Sequence, residues 1–194
     1  MTDAMTGPPA SAPPDRPVLR RPQAVLLDRD GTINVKAADD DYVRAAADLV
    51  LLPGAAPAVA ALNAAGLPVY IVTNQRGVAR GLMTLADLDA IHARLAELLA
   101  PAGAHIDGFY ACPHAHDACD CRKPLPGLVE QVVRDHPEID PTRCVVIGDG
   151  SGDIGLALGV GAAAVRLAAV PDEAADLTVA DLATAVTAVL GWPA

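Results

Sequence analysis

The sequence predicts an α/β fold of three layers, with helices on both faces of a central, mostly parallel sheet. Short aliphatic or β-branched runs alternate with longer segments rich in Ala and Leu. The chain of 194 residues is 52% hydrophobic but only 3% aromatic, a composition suited to small-residue helices packed closely on a sheet. Polar and acidic residues also cluster where the aliphatic runs stop, at the strand ends where open α/β sheets bind ligands.

Residues 1–22 are rich in Pro and small side chains without apolar periodicity, so they read as a flexible leader. The remainder, 23–194, has the length for a single domain with a full core. Strands are expected at AVLLD (24–28), PVYIVT (68–73), IDGFYA (106–111), RCVVIGD (143–149) and AAVRL (163–167). Helices are expected at about 54–65, 84–100, 126–136, 151–160 and 179–190, several bounded by Gly or Pro. Strands alternating with helices imply right-handed crossovers and parallel pairing. Two connections, 30–50 and 112–124, are longer than a compact domain normally carries without a use.

The formal net charge of −10 opposes nucleic acid or anionic membrane as the main partner. No apolar stretch is long enough to cross a bilayer, and the N-terminus lacks a basic-then-apolar signal layout. A cytoplasmic protein acting as a monomer on small molecules is the expectation.

The first strand runs into Asp28-Arg29-Asp30-Gly31-Thr32, which sets two carboxylates two residues apart at a strand end. One can attack phosphorus while the other protonates the leaving oxygen and later deprotonates water. A plain turn would also use Asp and Gly. An EF-hand loop is excluded, because its sixth position needs Gly and its twelfth Glu, whereas Gly31 is fourth and Asp39 twelfth. The second strand ends in Thr73-Asn74-Gln75-Arg76, whose hydroxyl, amide and guanidinium groups can hold phosphoryl oxygens. Arg122-Lys123-Pro124 adds adjacent cations, and Lys123 is one of two lysines in the chain, the other being Lys36.

The fourth strand ends in Gly148-Asp149-Gly150-Ser151-Gly152-Asp153. Asp28, Asp149 and Asp153 can share one cation, and hard oxygens with room for phosphate suit Mg²⁺. Gly150 to Gly155 also spells G-x-G-x-x-G, with Asp172 and Glu173 about 20 residues on, the rival pattern of a dinucleotide site. That strand comes fourth, however, and too little chain follows to complete a nucleotide half-fold.

Three of the four cysteines join histidines in Cys112-Pro-His114-Ala-His116-Asp-Ala-Cys119-Asp-Cys121. Thiolates and imidazole spaced this way close a tetrahedral Zn²⁺ site without an open position, hence a structural one. A disulfide is disfavoured by reducing cytosol and by spacings too tight to bridge. Either His114 or His116 can supply the nitrogen. Cys144 reads as a buried strand residue, and His92, His105 and His136 as structural or solvent-facing.

Together, DRDGTIN (28–34), TNQRGVARG (73–81), CPH and CDCRKP around the cysteine loop, and GDGSGD (148–153) resemble the haloacid dehalogenase superfamily. More narrowly, the chain resembles the zinc-containing heptose 1,7-bisphosphate 7-phosphatases, whose relatives are the histidinol-phosphate phosphatases. The resemblance implies a Rossmann-like fold without a large cap domain, and removal of the 7-phosphate to leave heptose 1-phosphate. Histidinol phosphate or another small phosphomonoester is the alternative substrate. Asp28 is then the nucleophile that forms an aspartyl-phosphate and Asp30 the general acid/base. Mg²⁺ is held by Asp28, the Asp30 carbonyl and Asp149, and structural Zn²⁺ by Cys112, His114, Cys119 and Cys121. The small phosphorylated sugar is contacted by Asp28, Arg29 and Asp30, by Asp41, Tyr42, Val43 and Arg44, by Thr73, Asn74, Gln75 and Arg76, and by Arg122 and Lys123. Two departures stand out. Gly150 replaces a Lys frequent in the heptose enzymes, and the four-residue gap between His114 and Cys119 is closer to the histidinol-phosphate branch. A zinc-stabilised binding module without catalysis remains the reading from another class.

Overall fold

The computed structural model describes residues 19–38 and 41–194. Six strands form one sheet: β1 (Ala24–Leu27), β2 (Val69–Asn74), β3 (Gly108–Cys112), β4 (Cys144–Gly148), β5 (Ala163–Leu167) and β6 (Leu177–Val179). Their order is β3-β2-β1-β4-β5-β6, and every pairing is parallel. β1 sits centrally, with Val25 in register with Val69 on one side and Val145 on the other. The strand order reverses between β1 and β4, the place where doubly wound sheets open a crevice at their carboxyl ends.

Period-two alternation splits the core in two. Val25, Leu27, Val69, Ile71, Val145 and Ile147 face one side, where helices α1 (Ala55–Ala64), α2 (Leu85–Leu99) and α5 (Leu182–Leu190) cover them with Leu62, Ile91, Leu95 and Val186. Ala24, Leu26, Tyr70, Val72 and Val146 face the other side, under α3 (Gly127–Asp135) and α4 (Ser151–Val160). Burial on both faces is why β1 and β4 read as uninterrupted aliphatic runs. The helices start where side chains cap them: Thr84 and Asp87 form a reciprocal capping box on α2, and Asp181 accepts from the Thr184 amide at 2.8 Å on α5.

The expected strands and helices are present, with β6 as an addition. Leu177–Val179 pairs with β5 as an edge strand, so α5 begins at Leu182 rather than 179 and packs beside α1. The leader expected over 1–22 lies, as far as residue 18, outside the described residues. Residues 19–22 rest on the domain: Arg21 donates its amide to the Pro193 carbonyl at 2.6 Å and its guanidinium to the Ala65 carbonyl at 2.7 Å. Among the described residues no helix is long and apolar enough to cross a membrane.

Cys144 is buried in β4, and His92 is stacked on Phe109 with ring centroids 4.6 Å apart. His105 is exposed, and His136 packs on Tyr70 at 4.8 Å.

Candidate active site

The carboxyl ends of β1, β2 and β4 converge on a cavity of about 240 Å³. Asp28, the first residue after β1, lies at its floor. The long connection after β1 folds back on itself through isolated bridges of Asn34 with Asp30 and with Leu51. Gly31 adopts φ +86°, and a Cβ there would stand 2.5 Å from Asp149 Oδ2, so this turn tolerates only glycine beside the last acidic motif.

Lys123 is the centre of the charge arrangement. Its side chain is 3% exposed, and its ammonium donates to Asp28 Oδ1 at 2.8 Å, Asp153 Oδ1 at 2.5 Å and the Val72 carbonyl at 2.7 Å. Three protons thus meet three acceptors. Asn74 clamps the lysine's backbone, accepting from its amide at 3.0 Å and donating to its carbonyl at 3.1 Å. Burial alone would push the ammonium's pKa down, but Asp28 and Asp153 outweigh it and raise it above the ordinary lysine value.

Burial also pushes the Asp28 carboxyl up, to about 6, against the pull of Lys123 and with help from Asp153. The folded chain therefore holds this proton more tightly than the unfolded chain does. The resulting stabilisation is complete below the ordinary value of 3.8 and is lost as pH rises through about 6. Urea unfolding of metal-free protein should show the parent losing stability relative to an Asp28→Asn variant between about pH 4 and 7. A constant difference would contradict the raised carboxyl.

Asp30 is held the opposite way. Its carboxylate accepts from Arg29 Nη2 at 2.8 Å, Asn34 Nδ2 at 2.8 Å and Gln75 Nε2 at 2.8 Å. Burial would raise its pKa, but the Arg29 charge and these donors bring it below the ordinary value. Arg29 itself is fully buried and does not line the cavity; its guanidinium is held against the Asp30 carboxylate.

The other expected contact residues divide. Asp41, Tyr42 and Val43 line the cavity, as do Asn74, Arg122 and Lys123. Arg44 pairs with Asp41 at 2.7 Å and Arg76 donates to the Tyr42 hydroxyl at 3.4 Å, so both stand behind the rim. Thr73 is buried and accepts from Gln75 Nε2 at 2.9 Å, which makes these two supports of Asp30 rather than cavity walls. Arg122 Nη1 is buried without a hydrogen-bond partner, an open donor beside the cavity. Two residues not picked out from the sequence join the site. Asn34 orients Asp30, and Lys36 pairs with Asp149 Oδ2 at 2.9 Å.

Among the described residues, two clusters could hold metal ions. Ligand atoms of Asp28, Asp149 and Asp153 lie within 4.8 Å of one another, and so do those of Cys112, His114, Cys119 and Cys121. All four cysteines are free thiols. His114 Nδ1 lies 3.2 Å from Cys121 Sγ and 3.7 Å from Cys112 Sγ, so His114 is the histidine grouped with the three cysteines. Cys121 is followed directly by Arg122 and Lys123, so this loop carries two cations into the cavity.

A parallel sheet with an aspartate pair after β1, a buried lysine and a second acidic motif after β4 defines a hydrolase of the haloacid dehalogenase-like family. The chain belongs to that family, whose profile matches residues 19–161. It is similar to a D-glycero-alpha-D-manno-heptose-1,7-bisphosphate 7-phosphatase of Mycobacterium bovis, 46% identical over 147 residues that span 75% of this chain and 77% of that protein. A D-glycero-beta-D-manno-heptose-1,7-bisphosphate 7-phosphatase of Pseudomonas putida is 42% identical over 71% of this chain and 78% of that protein. Among solved structures, the D,D-heptose 1,7-bisphosphate phosphatase of B. bronchiseptica, complexed with magnesium and phosphate, superposes with a TM-score of 0.77. It is 33% identical, and the match covers 87% of this chain and 98% of that one.

Proposed function

We propose that the protein hydrolyses the 7-phosphate of D-glycero-D-manno-heptose 1,7-bisphosphate, giving heptose 1-phosphate and orthophosphate. The observation that carries this reading is the convergence of Asp28, Lys123 and Asp149 on one cavity, in a chain whose relatives bear that activity in their names.

Asp28 attacks the phosphorus, the bond to the C7 oxygen breaks, and Asp30 gives the departing alkoxide a proton. Asp30 then takes a proton from water, whose oxygen attacks the aspartyl-phosphate and frees Asp28. Held ionised by Arg29, Asn34 and Gln75, Asp30 rests in the form this second half needs; the first half requires it to turn from that clamp with a proton. Arg122, with its open donor, binds phosphoryl oxygen. Asp41, Tyr42 and Val43 form the rim that reads the sugar.

The oxygen donors Asp28 and Asp149, with the Asp30 carbonyl, fit Mg²⁺, and glycine at 31 leaves room beside Asp149. When bound, Mg²⁺ neutralises charge on the phosphoryl group and its attacking carboxylate. Three sulfurs and one imidazole nitrogen fit a closed Zn²⁺ site that supports structure. Because the same loop leads into Lys123, stripping that metal with a chelator should lower kcat at least tenfold and loosen the loop, by roughly the hundredfold-or-less range known for supports of a site. Re-addition of Zn²⁺, followed by hydrogen exchange over residues 112–124, checks both effects. Unchanged activity in metal-stripped protein would remove the coupling.

The test of function is Mg²⁺-dependent phosphate release from the α and β anomers of the heptose bisphosphate, histidinol phosphate and fructose 1,6-bisphosphate. Their kcat/KM ranking compares transition-state stabilisation directly. The short gap between His114 and Cys119 makes histidinol phosphate the substrate whose lead would replace this reading.

A further inference from the structure

Lys36 and Gly150 together suggest an exchange of partners at the active site. Gly150 leaves the residue after Asp149 without a side chain, so α4 brings no cation to the cavity at that point. The acidic side chains there, Asp28, Asp149 and Asp153, are answered unequally. Lys123 is committed to Asp28 and Asp153 with all its protons used. Asp149 is answered by Lys36 alone among the described ion pairs, at 2.9 Å, and both line the cavity.

The two lysines differ in mobility. The Lys123 side chain is 3% exposed and Lys36 is 56% exposed, so one is locked in place and the other rides a free four-carbon stem. Asp149 offers one oxygen to the Asp28, Asp149 and Asp153 group that could hold a cation, and Lys36 sits on its Oδ2. An ammonium on that carboxylate competes with a divalent cation for it. Two cations do not share one carboxylate oxygen at close range without strong repulsion.

We propose that Lys36 is a placeholder cation. It neutralises Asp149 in the metal-free protein, yields that carboxylate to Mg²⁺, and then binds an oxygen of the phosphoryl group beside Asp28. One carboxylate oxygen from each of Asp28, Asp149 and Asp153 lies within 4.8 Å of the other two, so a lysine that reaches Asp149 has only a short way to move to an oxygen beside Asp28. The phosphoryl group thereby gains a mobile donor that Gly150 does not supply. Yielding Asp149 requires only that a cation binds; the second half of the proposal rests on the phosphatase reading.

Lys36 is half-exposed and supports no core packing, so its variants should fold. Isothermal titration of metal-free Lys36→Met with Mg²⁺ alone should show binding about two- to fivefold tighter than the parent, because a competitor of modest strength is gone. Titration with orthophosphate at saturating Mg²⁺ should show binding at least about tenfold weaker, the loss of one charge-assisted hydrogen bond. Lys36→Arg should restore most of the orthophosphate affinity. Unchanged Mg²⁺ affinity would overturn the placeholder. Tighter Mg²⁺ with unaltered orthophosphate binding would overturn the transfer to phosphate, leaving Lys36 displaced to solvent. Neither titration needs turnover, so a parent that hydrolyses no heptose bisphosphate would sink the proposed function without touching this result.

Discussion

Asp28→Asn is expected to lower kcat by at least about 10⁴-fold, as removal of a nucleophile does where the remaining groups act with it as a unit. Asn keeps the shape and can still accept from Lys123 at the 2.8 Å position, so the fold should persist. The amide oxygen is too poor a nucleophile to form the phosphoryl intermediate, and the other carboxylates lining the cavity are engaged: Asp149 pairs with Lys36 and Asp41 with Arg44. Asp153 is locked to Lys123 and the Gly150 amide, while Asp30 is clamped by Arg29, Asn34 and Gln75. Single-turnover phosphate release, with urea unfolding beside it, separates the two effects. A variant with a tenth of parental activity, equally folded, would remove Asp28 from the reaction. The opposite result, an inactive and unfolded variant, would show that the carboxylate is needed for packing and say nothing for the chemistry.

The central strands were legible because burial on both faces demands continuous aliphatic runs, and β1, β2 and β4 have them. β6 escaped because Leu177–Val179 is three residues long and half-exposed, and its apolar signal merges with the helix that follows. The candidate catalytic aspartates and Lys123 stood out through residue type at strand ends. Their supports did not. Asn34 acts through a bridge that folds residues 30–34 back on themselves, which no periodicity announces. Arg29 read as a substrate contact because it sits between two aspartates, yet its side chain is buried against Asp30. Lys36 was within reach: the scarcity of lysine that singled out Lys123 applies to it equally. What sequence lacked was the return of the 30–50 connection across the cavity to Asp149. In the cysteine loop the spacing left both His114 and His116 open, and only the resemblance pointed to His114.

Lys123→Met should be the most damaging change to stability as well as activity. It would leave Asp28 and Asp153, both buried, facing each other without a cation, and breaking such an arrangement costs about 3–5 kcal/mol. In a chain of this size that lowers Tm by roughly 10 °C. The deficit should depend on pH with a definite sign. Without Lys123 the Asp28 carboxyl, already raised by burial, rises further, so the folded variant binds a proton more tightly than the unfolded chain. Acid therefore restores part of its stability, and the gap between parent and variant should narrow as pH falls from about 8 to 5. Urea unfolding across that range measures it. A gap that widened in acid would mean that the two carboxylates are not in contact with the lysine in solution, and the same result would withdraw Lys123 from the phosphoryl site. Activity should fall with the variant even where acid restores the fold, because a protonated Asp28 cannot attack.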